Sequence, residues 1–237
     1  MKSPFLLLIL LLTAVLPGKA NMLVYPMSLE IDGKTQRGQT INVMSKSDRT
    51  QYVRVVIKEV IDPATPQERE QEVESWQGKG IVISPTRFAL AAGATKTVRI
   101  IALHKPQSET FYRAYFEPAT SEEQDVAASE RQTRAQVSFS LVWGVLIRQL
   151  PEKSVIALTR DTALPGVTNN GTLRVRLREY SYCPANQADS QCTWQTLKKS
   201  LFPGASLKLS GLSATQSLRV RYLDDKETLQ TLRLSER

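Results

Sequence analysis

Residues 135–147 read AQVSFSLVWGVLI, and Ala135, Val137, Phe139, Leu141, Trp143, Val145 and Ile147 occupy every second position. A period of two puts these apolar side chains on one face of a β-strand and excludes an amphipathic helix. The alternate face carries Ser138, Ser140, Val142, Gly144, Leu146 and Arg148, and Pro151 closes the run. The strand is roughly twice the usual length. A strand this long and apolar has to find partners along its whole extent, and that requirement dominates any fold built around it.

The rest of the chain follows the same period. Val53, Val55 and Ile57 alternate with Arg54, Val56 and Lys58, as in a half-buried antiparallel strand. Further strands are predicted over 22–31 (with Pro26 marking an edge or a kink), 40–44, 51–61, 81–84, 87–90, 97–103 and 110–116. Residues 62–76, rich in Glu and Pro, are expected to be a loop with at most one helical turn. After a linker over 151–154 the pattern restarts, with strands over 154–158, 173–182, 194–197, 206–209, 217–222 and 228–234, and a turn at Asn169-Asn170-Gly171. Short strands separated by regular turns predict an all-β chain of two sandwiches, 21–150 and 151–237.

The first twenty residues are different. Lys2 precedes a 12-residue apolar run, Phe5 to Leu16, and small residues follow at Gly18 and Ala20. This is the pattern of a secretory signal peptide over 1–20, too short to span ~30 Å at 1.5 Å per residue. Cleavage after Ala20 would lower the formal net charge from +8 to +6. No later run is apolar enough to span a membrane, so no membrane insertion of the mature chain is expected. The cations are dispersed along strands, as at Arg174, Arg176 and Arg178, which does not suggest a nucleic-acid partner. Two cysteines in an exported chain, Cys183 and Cys192, allow one disulfide. With His104 as the single histidine, neither a metal site nor acid–base catalysis is expected. No cofactor is implied.

The segment ISPTRFALAAGATKTVRI (81–100), followed by SETFYRAYFEP and the long strand ending LIRQLPEK, resembles the signature of the periplasmic chaperones of the chaperone–usher pathway. WGVLIRQLPE and VYPMSLEIDG resemble the branch serving alpha-type fimbriae and common pili. The resemblance implies two Ig-like sandwiches set as a boomerang. It also implies that part of the long strand is lent to a fimbrial subunit whose own Ig-like fold lacks a strand. Such a subunit exposes unpaired backbone and an apolar groove. A donated strand supplies main-chain hydrogen bonds, and its alternating side chains fill the groove. The expected plugs are Val137, Phe139 and Leu141, flanked by Ala135 and Trp143, while Trp143, Val145 and Ile147 favour their own core. Delivery to an outer-membrane usher follows, and the exposed strand also allows two copies to cap one another as a homodimer.

Members of this family hold the subunit's terminal carboxylate with an Arg on the first strand and a Lys on the long strand. Here the first strand has neither, and Gly144 stands where the Lys is expected. Arg113 is the substitute expected, with Lys153 and Lys79 as further candidates. Arg148 matches a family arginine that pairs with acids at Glu109 and at Asp224 or Asp225, a trio expected to hold the two domains together. The rival reading is a secreted two-domain Ig-like adhesin or binding protein. It would share the sandwiches and the disulfide but would need neither the PTRFAL…TVRI signature nor the long strand.

Overall fold

The computed structural model describes residues 21–32, 38–73, 80–119, 141–161, 166–211, 217–224 and 226–234. Its longest strands are those with the clearest alternation. β4 (Gln51–Ile61) and β9 (Thr110–Pro118) pair antiparallel, with Ile57 opposite Ala114 and Val55 opposite Phe116. β10 (Trp143–Gln149) pairs antiparallel with β9, and its partner on the other side is β2 (Ser28–Ile31), which runs parallel to it. With β5 (Arg69–Glu72) and β7 (Arg87–Leu90) on β4, these strands form one layer of the first sandwich. The facing layer has the order β1-β3-β8-β6, built from Met22–Tyr25, Gln39–Ser45, Thr95–Ala102 and Ile81–Ser84. Both layers turn their alternate residues inward. Val24, Ile41, Val43, Ile81, Val98 and Ile100 meet Val53, Tyr112, Phe116, Val145 and Ile147 in one core. Each large apolar side chain buried there contributes ~1.5–3 kcal/mol.

Two strands depart from the sequence reading. The polar run at β5 forms a strand because β4 is long enough to offer an edge beyond its pairing with β7. Residues 22–31 are one extended stretch in sequence but two strands in space. β1 pairs with β3 in one sheet, and after Pro26 the chain crosses to β10 in the other. Proline has no N–H to donate, so it fits the point where ladder pairing is given up.

The second sandwich has the layers β11-β12-β15 (Leu158–Asp161, Gly166–Asn169, Ser206–Lys208) and β14-β13-β16-β17 (Gln195–Leu201, Val175–Cys183, Ser217–Leu223, Leu229–Leu234). Its core gathers Leu158, Val167, Val175, Leu177, Leu201, Leu218 and Val220. The first strand begins at Leu158, where the sequence reading placed its end. β12 lies where a turn was expected, because Val167 is wholly buried and anchors it. The chain is therefore all-β, with two Ig-like domains.

Cys183 and Cys192 are bonded and close the loop after β13. Beneath that loop Arg219 is fully buried, paired with Asp189 and donating to the carbonyl oxygen of Pro184 at 2.8 Å. Chain-entropy arguments for a loop of this size give about 2–3 kcal/mol of stabilisation. Replacing both cysteines by serine is expected to remove about that much, read as a lower midpoint in urea with a folded starting state.

Candidate functional site

β10 is held unequally. It pairs with β9 from Trp143 to Gln149, but with β2 only from Leu146 onward. The Leu146 N–H donates to the Met27 carbonyl oxygen at 3.0 Å, and the Leu150 N–H to Ile31 at 3.0 Å. Even-numbered backbone groups of β10 therefore point toward β2. At Gly144 the same edge lies level with Pro26, where the first segment has left for the other sheet. The N-terminal end of β10 thus presents an open edge along which an extended chain can add hydrogen bonds.

The side chains follow the same division. Val145 and Ile147 are sealed in the core and Trp143 packs against it, while Leu141, next on that face, is 50% exposed. The apolar row runs past the end of the domain's own core. Val142 and Met27, beside the open edge, are exposed as well. Ala135, Val137 and Phe139 continue the row in sequence and lie outside the described residues, as does Lys79.

The outer face of this sheet carries the polar groups. Cross-strand pairing aligns Gly144 with Tyr115, Leu146 with Arg113, and Arg148 with Phe111. The Tyr115 ring lies over Gly144, and a Cβ there would stand 3.3 Å from its Cε1. Glycine at the position of the family lysine is what lets the ring lie down. Tyr115 donates to Glu70 at 2.6 Å, and Arg113 donates to Glu70 at 2.5 Å and to Glu68 at 3.1 Å. Arg113, expected to await a client carboxylate, already has two from its own chain. Nothing in the sequence pointed to these glutamates, because 62–76 read as a loop.

Both carboxyl groups are held below the ordinary 4.5. For Glu68 the main cause is the Ala64 N–H, with help from Arg113. For Glu70 burial pushes upward, and the bonds from Tyr115 and Arg113 outweigh it. A carboxylate with a depressed folded value stabilises the fold above its unfolded pKa and loses that contribution as pH falls through the folded value. Melting temperature is therefore expected to fall as pH drops below about 4. Glu70→Gln should flatten that fall, and paired thermal scans from pH 6 to pH 2.5 check it.

Glu109 and Arg148 are brought together where the two domains meet. Glu109, with a fully buried side chain, accepts from Arg148 Nε at 2.6 Å and from the Arg174 backbone N–H at 2.6 Å. Arg148 also reaches the exposed Glu30 at 2.7 Å. The Phe111 and Phe202 rings meet edge to face at 5.1 Å, and Arg174 stands over Phe111. Burial, and then repulsion from Arg148, pull the Arg174 guanidinium below its ordinary pKa. Asp224 is not in this group. Its carboxylate accepts from the N–H groups of Lys226 and Thr228 and from Gln230, closing its own turn, and Asp225 lies outside the described residues. The second domain's contribution to Glu109 is a backbone N–H, which side-chain patterning does not reveal. Lys153 is exposed, with no ion pair among the described residues.

No family model matches the chain. It is similar to a CS1 fimbrial protein of Escherichia coli, 34% identical over 194 residues and covering 80% of each chain. It is also similar to a CFA/I fimbrial protein of Escherichia coli, 28% identical over 202 residues and 84% of each. Among solved structures it resembles the class 5 fimbriae chaperone CfaA, with a TM-score of 0.76 at 25% identity, covering 92% of this chain and 100% of that one. A chain from a chaperone–tip adhesin complex of CFA/I fimbriae biogenesis matches with the same values. A chain from the CsuC–CsuE pre-assembly complex of Acinetobacter baumannii, a chaperone with its tip adhesion partner, shares the fold, with a TM-score of 0.51 at 12% identity. With a strand edge left open beside an apolar row, and relatives of this kind along most of its length, the chain belongs to the fimbrial chaperones of the chaperone–usher pathway, on the alpha-fimbrial branch.

Proposed function

We propose that this protein is a periplasmic chaperone that caps fimbrial subunits by lending them the open edge of β10 and the residues preceding it. The observation that carries this reading is the unequal pairing of β10, with β9 from Trp143 but with β2 only from Leu146. An incomplete subunit would add its strand to that edge and receive Val137, Phe139 and Leu141 in its groove, with Ala135 and Trp143 at the margins. Each plug buried contributes ~1.5–3 kcal/mol, so the association needs no nucleotide. The capped subunit is then passed to an outer-membrane usher. A homodimer through the same edge is the resting alternative.

Arg113 and Lys153 are the proposed anchors for the subunit's terminal carboxylate. A carboxylate reaching Arg113 would displace Glu68, whose contact is the longer of the two at 3.1 Å. Arg148, clamped by Glu109, is proposed to set the domain angle.

The test is to recover the tagged mature chain from its native periplasm and identify what accompanies it. A stoichiometric fimbrial subunit is expected. Recovery of the chain alone, or its display on the surface of intact cells, would favour the adhesin reading.

A further inference from the structure

A protein that lends one strand edge has to keep its other edges from pairing, or it would assemble with itself. Among the described residues the sheet edges are β1, β6, β2, β5, β11, β15, β14 and β17. Most are four residues long or shorter. β14, at seven residues, is the longest. It pairs with β13 on one side only, so its outer backbone groups form the most extended template in the second domain.

The sequence of β14, QTLKKSL, places Gln195, Leu197, Lys199 and Leu201 on one face. That face is the inner one. Leu201 is buried, Leu197 packs against the second core, and Gln195 accepts a hydrogen bond from the buried Tyr180 hydroxyl. Lys199 is directly opposite Leu177, which is wholly buried, yet Lys199 itself is exposed. No carboxylate pairs with it among the described residues. A charge has been set into an apolar row at the open side of the sandwich. Lys198, next to it, points the other way.

We infer that Lys199 guards this edge. A strand added to β14 would lay its own apolar side chains over the same row and bury the ammonium without a counter-ion, which is strongly unfavourable. The excluded partner is any extended strand, whether from a second copy of this chain or from an incomplete client. Strand addition is thereby confined to the first domain. Association without client measures this directly, so the outcome is independent of the subunit-capping reading.

The experiment compares Lys199→Ile, Lys199→Glu and Lys198→Ile with the parent chain by sedimentation velocity, with amide exchange across residues 196–200. Lys199→Ile is expected to gain an association step that the parent lacks, with a dissociation constant lowered at least tenfold and β14 amides newly protected. Lys199→Glu and Lys198→Ile should sediment as the parent does. The Lys198 variant makes the same charge change on the opposite face, so it separates inward placement from net charge. Lys199→Thr provides an uncharged variant should isoleucine impair folding, and it should show a smaller gain. Sedimentation of both uncharged Lys199 variants like the parent, or equal association of the Lys198 and Lys199 isoleucine variants, would overturn the inference.

Discussion

Phe139→Arg is expected to abolish recovery of fimbrial subunits with the chaperone while leaving the chaperone folded. The phenyl ring is proposed to fill the subunit groove, and its loss removes ~1.5–3 kcal/mol of burial. The substitution also places a guanidinium against an apolar groove with no acceptor, which costs at least a further ~2 kcal/mol. About 4 kcal/mol corresponds to a roughly thousand-fold weaker complex. Ser138→Arg, one residue away on the alternate face, should leave most of the affinity. Co-purification and titration with a refolding subunit measure both variants, and circular dichroism confirms folding. Equal losses for the two variants would remove the face-specific plug from consideration.

Glu109→Ala is expected to be the most damaging single substitution for stability. It leaves Arg148 without its buried partner and the Arg174 N–H without its acceptor, with two guanidinium groups facing one another. Removing one member of a buried pair costs ~3–5 kcal/mol. Glu30 still reaches Arg148 from an exposed position, so the low end applies, about 3 kcal/mol. For a chain of this size that is a fall of about 6–12 °C in melting temperature. Glu109→Gln, which keeps the acceptor but not the charge, should fall between. A shift below 2 °C for Glu109→Ala in differential scanning calorimetry would show that the domain junction does not depend on this carboxylate.

Alternation was sufficient to place the core-facing residues of β4, β9 and β10, because a half-buried strand leaves its period in the sequence. It did not locate β5, whose residues are polar on both faces and owe their conformation to the edge of β4 rather than to burial of their own. β12 was hidden in the same way by its short run between turn-forming residues. At the site, Arg113 and Arg148 could be picked out as charges on strands. Their partners Glu68, Glu70 and Glu30 could not, because ion pairs across a sheet depend on register rather than on local sequence. The Arg174 N–H beside Glu109 left no side-chain trace at all. The open edge of β10 was legible only as an excess of apolar length. What opens it is the departure of the first segment at Pro26, and that depends on which sheet each half of the segment joins.

The same clasp has a mechanical meaning. From Leu146 to Gln149, β10 is gripped on both flanks, by β2 running alongside it and by β9 running against it. A pull on the lent residues, as when a neighbouring subunit tugs its predecessor free, acts along the axis of β10. Both ladders are then loaded in shear, and their hydrogen bonds resist together instead of tearing open one after another. The lender keeps its own strand while the borrowed portion is stripped away.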